Sequence, residues 1–149
     1  MRLKTLWFPI ILLALASCGE GDEIKLEKGP FLFNDRTALQ FDTEYGSGTY
    51  VGASTFNTLM IENRGDAPLE ITDVVKTGPS EFIVTLPEGL APGSPVRLES
   101  LKRAYIQVQF KPSQAKDYTG KLTIKSNSKD AAEKEISLVA KGVPAPPAP

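Results

Sequence analysis

Apolar and polar residues alternate with a period of two along most of this 149-residue chain. The clearest case is residues 104–127. Ala104, Ile106, Val108 and Phe110 alternate with Tyr105, Gln107 and Gln109, and Leu122 and Ile124 alternate with Lys121, Thr123 and Lys125. Such alternation puts one face of a strand in a core and the other in water. The intervening KPSQAKDYTG, punctuated by Pro112 and Gly120, reads as a loop. The stretch therefore predicts two antiparallel strands, and a single strand pair needs further strands to cover its apolar face.

The rest of the chain supplies them. Residues 31–33 predict a first edge strand, and residues 38–45 a second, followed by a turn at Gly46, Ser47 and Gly48. Residues 56–63 predict a strand with Leu59 and Ile61 on one side and Phe56 and Met60 on the other. Asn63, Arg64, Gly65 and Asp66 have turn chemistry, with Gly65 expected at positive φ. Strands are expected over 67–75, with Pro68 at its start, over 81–86, and over 96–101, with a Pro- and Gly-containing loop between the last two. Residues 133–141 close the domain, and residues 129–134 read as a loop rather than a helix. About seven short strands with turn signals between them predict an all-β chain folded as a β-sandwich. The expected core is Leu59, Ile61, Leu69, Ile71, Phe82, Val84, Ile106, Val108, Phe110, Leu122, Ile124, Ile136 and Leu138.

The first residues break this pattern. Arg2 and Lys4 precede an apolar run that is too short for a membrane span and has the form of a signal peptide over residues 1–17. The run ends in Leu15-Ala16-Ser17-Cys18-Gly19, which resembles the lipobox of bacterial lipoproteins, with the chain's one cysteine at the required position. That resemblance implies cleavage between Ser17 and Cys18, lipidation of Cys18, and a membrane anchor, since two or more acyl chains hold a protein stably on a bilayer. Gly19, in place of Asp, favours the outer membrane by the sorting rule of such proteins. Residues 18–29, charged and Gly-containing, are read as a tether, 30–142 as the sandwich and 143–149 as a Pro-rich tail.

Composition narrows the function. The 17 basic and 18 acidic residues nearly cancel, which gives no reason to expect nucleic acid as a partner. With Cys18 acylated, no intramolecular disulfide forms, so the core alone holds the domain. Histidine is absent, and with it the commonest metal ligand and the commonest general base.

Residues 39–142 resemble the choice-of-anchor D and Hydin-like (ASH) group of immunoglobulin-like domains, related to the major sperm protein fold. The resemblance is carried by LMIENRGDAPLEITDV at 59–74, by Phe82, Ile83 and Val84, and by AYIQVQFKP at 104–112. YTGKLTIKSN at 118–127 and the closing residues 136–142 complete it. Where that group often has Asp-Pro after Ser-Asn, this chain has Ser128-Lys129. The resemblance implies an immunoglobulin-like sandwich used as a structural or interaction module, and no catalytic residues. Asn63, Gly65, Pro112, Tyr118, Gly120 and Asn127 are then fold-defining residues. Tyr118 is read as a tyrosine corner just before a strand, and Asn63 and Asn127 as amides that satisfy turn backbone.

Little chemistry competes with that reading. Ser126 and Lys129 match S-x-x-K in letters, without the helix or partner motifs that the motif's catalytic use requires. Asp22 with Glu23, Asp42 with Glu44, and Asp117 with Asp130 are the nearest carboxylate groupings, and no calcium-loop or zinc spacing occurs, so no metal or other cofactor is expected. The expectation is a membrane-anchored, non-enzymatic lipoprotein that meets a protein partner in the bacterial envelope. One alternative is a surface adhesion component. The other is a carbohydrate- or small-ligand-binding sandwich, for which Tyr45, Tyr50 and Tyr105 are the aromatic candidates.

Overall fold

A computed structural model describes residues 25–41, 48–91 and 93–145. These form ten strands and no helix: β1 (Leu32–Asn34), β2 (Ala38–Gln40), β3 (Thr49–Tyr50), β4 (Thr55–Asn63), β5 (Leu69–Thr77), β6 (Phe82–Thr85), β7 (Val96–Leu98), β8 (Arg103–Phe110), β9 (Asp117–Ser126) and β10 (Glu133–Val143). One sheet runs β1-β4-β8-β6; the other runs β2-β10-β9-β5-β7, with β3 also paired to β10. The two sheets close on one apolar core, an immunoglobulin-like sandwich.

Strand alternation decides what that core contains. Every expected core residue is buried except Val84, which is half-buried because β6 is the outermost strand of its sheet. Leu32, Leu39, Phe41, Val74, Leu90, Leu98, Tyr118 and Ala140 complete the core. In β5 the register against β9 shifts between Ile71 and Asp73. The bulge flips the alternation, so Leu69 and Ile71 point inward before it and Val74 after it.

Several expectations are corrected. The two strands of residues 104–127 are antiparallel neighbours in the chain but not a pair. β8 bonds to β4 and β6, and β9 bonds to β5 and β10, in the opposite sheet. Their apolar faces meet across the core, and the connection arches between layers instead of making a hairpin. That connection is also shorter than KPSQAKDYTG, because Asp117 to Gly120 belong to β9. The strand expected over 96–101 stops at Leu98, since Leu101 takes a left-handed turn conformation at φ 63°.

The domain also reaches further than expected at both ends. Glu27, assigned to the tether, accepts from the Asp66 N–H at 2.8 Å and donates its own N–H to the Arg64 carbonyl at 2.9 Å. Val143, assigned to the tail, is the last residue of β10 and lies opposite Tyr50.

Candidate interaction face

Side chains of the two loop-rich ends hold the sheets in position. At one end Asn63 is completely buried. Its Oδ1 accepts from the N–H of Gly65 at 2.9 Å and of Phe31 at 3.3 Å. Its Nδ2 donates to the carbonyls of Ala67 at 2.8 Å and Leu98 at 2.9 Å. Gly65, expected at positive φ, does not adopt it. Glycine is needed there for a close approach instead: a Cβ would lie 1.8 Å from the Gly29 carbonyl oxygen. Asn127, on the surface, accepts from the Glu70 N–H at 2.9 Å and donates to the Pro68 carbonyl at 3.4 Å.

At the other end Tyr118 lies inside β9 rather than before it. Its hydroxyl accepts from the Gln114 N–H at 3.0 Å and donates to the Gln114 carbonyl at 3.2 Å, so the ring clamps the arch between β8 and β9. Pro112, buried in the same arch, accepts from the Gly52 N–H at 3.0 Å. Gly120 faces the Thr77 carbonyl, where a Cβ would sit at 2.9 Å. Tyr118→Phe removes both hydroxyl bonds while keeping the ring, and is expected to cost about 1–2 kcal/mol in chemical denaturation with an unchanged m-value.

The outer faces of the two sheets differ in character. On β9, β10, β5 and β7 the outward residues are laced with ion pairs: Lys121–Glu135 at 2.8 Å, Lys125–Glu133 at 3.8 Å, and Arg97 with Glu99 at 2.9 Å and Glu70 at 3.8 Å. That is a solvated surface. On the four-stranded sheet, the register puts Phe56, Gln109 and Ile83 in one row, Thr58, Gln107 and Thr85 in the next, and Met60 beside Tyr105 in a third. None of these side chains is charged. Phe56 is 56% exposed and Tyr105 55% exposed, well beyond what alternation requires of large rings. Charge stands only at the two ends of these rows: Glu81 and Lys111 beyond Ile83 and Gln109, and, next to β1, buried Glu62, which binds Arg103 at 2.9 Å and Arg64 at 3.6 Å. There the Arg64 guanidinium also lies 3.2 Å from the centre of the Phe33 ring.

An open groove of about 550 Å³ adjoins the opposite end of this face, between Val51, Ile83 and Pro112, with Glu81, Lys111 and Ser113 at its rim. The Ser113 hydroxyl, 2.6 Å from Glu81, holds that carboxyl below its ordinary range.

The residues singled out for other chemistry are dispersed or outside the described residues. Ser17, Cys18 and Tyr45 lie outside them. Tyr50 is exposed on β3, away from Tyr105. Ser126 Oγ accepts from the Ser128 N–H, and the Lys129 stem packs over Gly29. Among the described residues no group of three or more His, Cys, Asp or Glu side chains is arranged to hold a metal ion. Ile83 was not part of any expected surface. Its place beside Gln109 and Phe56 follows from the pairing of β6 with β8, which letters alone do not report.

No family model and no curated protein matches the chain. Among solved structures it is similar to a protein of unknown function from Porphyromonas gingivalis W83, with a TM-score of 0.59 and 14% identity over 76% of this chain and 47% of that one. It is similar to the ASH/PapD-like domain 7 of human CEP192, with a TM-score of 0.53 and 13% identity over 98% of this chain and 99% of that domain. It is also similar to part of the secreted serine protease VesC from Vibrio cholerae, with a TM-score of 0.51 and 14% identity over 80% of this chain and 24% of the protease. The chain therefore spans about half of the first of these proteins and a quarter of the third. At these identities the likeness shows the fold, an immunoglobulin-like sandwich of the ASH kind.

Proposed function

We propose that the chain is a non-enzymatic protein-interaction module, held to a bacterial membrane through lipid at Cys18, that meets its partner with the uncharged face of the four-stranded sheet. The contrast between the two outer faces carries this reading. A sheet face exposed only to water is normally salted with charge, as β9 and β10 are; one that keeps Phe56, Met60, Tyr105 and Ile83 free of charge has the composition of an interface centre. Anchoring agrees with the lipobox-like Leu15 to Gly19, and the outer membrane with Gly19.

Exchanging both Phe56 and Tyr105 for serine tests the face. Both side chains are on the surface, so stability is expected to stay within about 0.5 kcal/mol of the wild type. Affinity for a partner identified by crosslinking in the native envelope is expected to fall by roughly 30-fold or more, the loss typical of interface hot spots. Unchanged affinity would remove this face from the contact. Mass spectrometry of the mature protein decides the anchor, because an unmodified Cys18 in a soluble fraction would exclude it.

A neutral glycan is the second reading, favoured by Phe56 and Tyr105 lying on one face two rows apart, roughly 13 Å along the strands. Oligosaccharide binding that the same double variant abolishes would establish it.

A further inference from the structure

We propose that β6 is a strand-addition site, which takes an extended, uncharged segment of a partner polypeptide as a fifth strand of the β1-β4-β8-β6 sheet. The proposal rests on the protein-interaction reading and gives it a binding mode.

A sandwich of two open sheets has four lateral edges, and an edge with free backbone groups invites further pairing unless it is blocked. Three of the four are blocked here. On β1 both outward backbone groups of Leu32 are already bonded, the N–H to Ser128 Oγ at 2.8 Å and the carbonyl to Lys134 Nζ at 2.6 Å, and the Pro30 carbonyl accepts from the Lys129 N–H at 3.0 Å, which leaves Asn34 alone to offer outward groups on that strand. The edge strand β7 has three residues and carries Arg97 between Glu70 and Glu99. The edge strand β2 is equally short, and its Gln40 carbonyl accepts from Asn57 Nδ2 at 3.0 Å.

The β6 edge differs. The Lys111 N–H donates to the Glu81 carbonyl at 2.9 Å, which sets the phase of the ladder. Residues 81, 83 and 85 turn their backbone groups toward β8, so 82 and 84 turn theirs to the open side. The Phe82 N–H is used in the preceding turn, on the Pro79 carbonyl at 3.3 Å. The Phe82 carbonyl and both backbone groups of Val84 have no partner among the described residues. From Phe82 to Pro87 the sequence FIVTLP carries no charge, and Ile83 and Leu86 stand 48% and 40% exposed beside the open groups. The loop that follows turns into the core through Pro87 and Leu90 and does not form a strand on this edge.

The occupant follows from this chemistry. The unpaired groups want backbone, supplied by an extended chain, and the uncharged flank favours apolar or hydroxyl side chains at alternate positions. The groove beside Ile83 offers such a side chain a place at the Glu81 end. A second copy of this chain is a poorer occupant. Two-fold pairing about Val84 would engage two strands of only four residues each, far short of the roughly 1,200 Å² that a stable specific interface buries.

The test is selection of nine-residue peptides from a random displayed library on the full-length protein. Amide hydrogen exchange is then followed on the wild type with a selected synthetic peptide. Expected are peptides with a period-two apolar pattern and no central proline, and at least ten-fold slower exchange at the Val84 amide when the peptide is bound. Val84→Pro removes the outward N–H without touching the β8 ladder, and Ile83→Lys puts a charge on the flank; each is expected to weaken peptide binding at least ten-fold.

A peptide that binds without slowing the Val84 amide would overturn the proposal. So would peptides that bind folded Ile83→Lys and Val84→Pro as tightly as the wild type. Protection of Val84 that rises with protein concentration alone would replace it with self-association. If the Phe56 and Tyr105 double variant loses the peptides while the edge variants keep them, the interaction reading stands and the edge falls. Selection of no binding peptide at all would count against both.

Discussion

Asn63→Ala is expected to lower the unfolding free energy by about 4 kcal/mol, because four backbone groups lose their partner at once. The side chain is completely buried at the end of β4. It serves the N–H groups of Phe31 and Gly65 and the carbonyls of Ala67 and Leu98, and so ties together the segments entering β1 and β5 and the end of β7. Leaving a buried group unpaired costs roughly 1–3 kcal/mol, and a water admitted to the vacated space recovers part of that sum. Asn63→Asp tests the same account from the other direction, because a carboxylate still accepts from both N–H groups but cannot donate to the two carbonyls. Urea denaturation of both variants checks the prediction. A loss below about 1 kcal/mol for Asn63→Ala would show that water replaces the amide fully and that the residue does not hold this end together.

Much of this architecture was legible in the letters. Period-two alternation shows which side of a strand is buried, and it located every strand but β3 and the larger part of the core, although Leu32, Leu39, Phe41, Val74, Leu90, Leu98, Tyr118 and Ala140 were not expected there. It does not show which strands are neighbours. β8 and β9 alternate equally well whether they form a hairpin or face each other across a core, and only the pairing of each with other strands decides for the second. Glycines carry a similar ambiguity. Gly65 announces a special position, but a left-handed turn and a close backbone approach both call for glycine, and here it is the second. Leu101 gave no signal at all, since nothing in a leucine marks a positive φ. The candidate face was half legible: Phe56 and Tyr105 lie outward by alternation, but their neighbour Ile83 joins them through the β6–β8 register. Open edges are harder still, because an edge is defined by the strand that is not beside it.

Phe110→Ala is the second large effect, expected at about 4 kcal/mol. Phe110 is completely buried and lies at the centre of four rings, 5.1 Å from Phe82, 5.2 Å from Tyr118 and 5.8 Å from Phe41 between ring centres. Phe82 and Phe110 come from one sheet and Tyr118 from the other, so the cluster pins the two layers together. Phe→Ala in a core costs roughly 3–5 kcal/mol through lost transfer and the cavity left behind. Phe110→Leu keeps most of the volume and is expected to lose only the ring-to-ring part, about 1–1.5 kcal/mol. Faster amide exchange at Gln114 should accompany the alanine variant, because the Tyr118 ring that clamps Gln114 loses its edge contact with Phe110. Phe110 and the Asn63 network lie at opposite ends of β8, whose eight residues span roughly 26 Å. Sites so far apart add nearly independently. The double variant should therefore lose about 8 kcal/mol, which lies within the 5–15 kcal/mol that a domain of this size has in total, and little of it is expected to be folded at 37 °C. A double variant that stays folded with much less than the summed loss would mean that the two ends are coupled through β8, and that either single substitution already releases what the other holds.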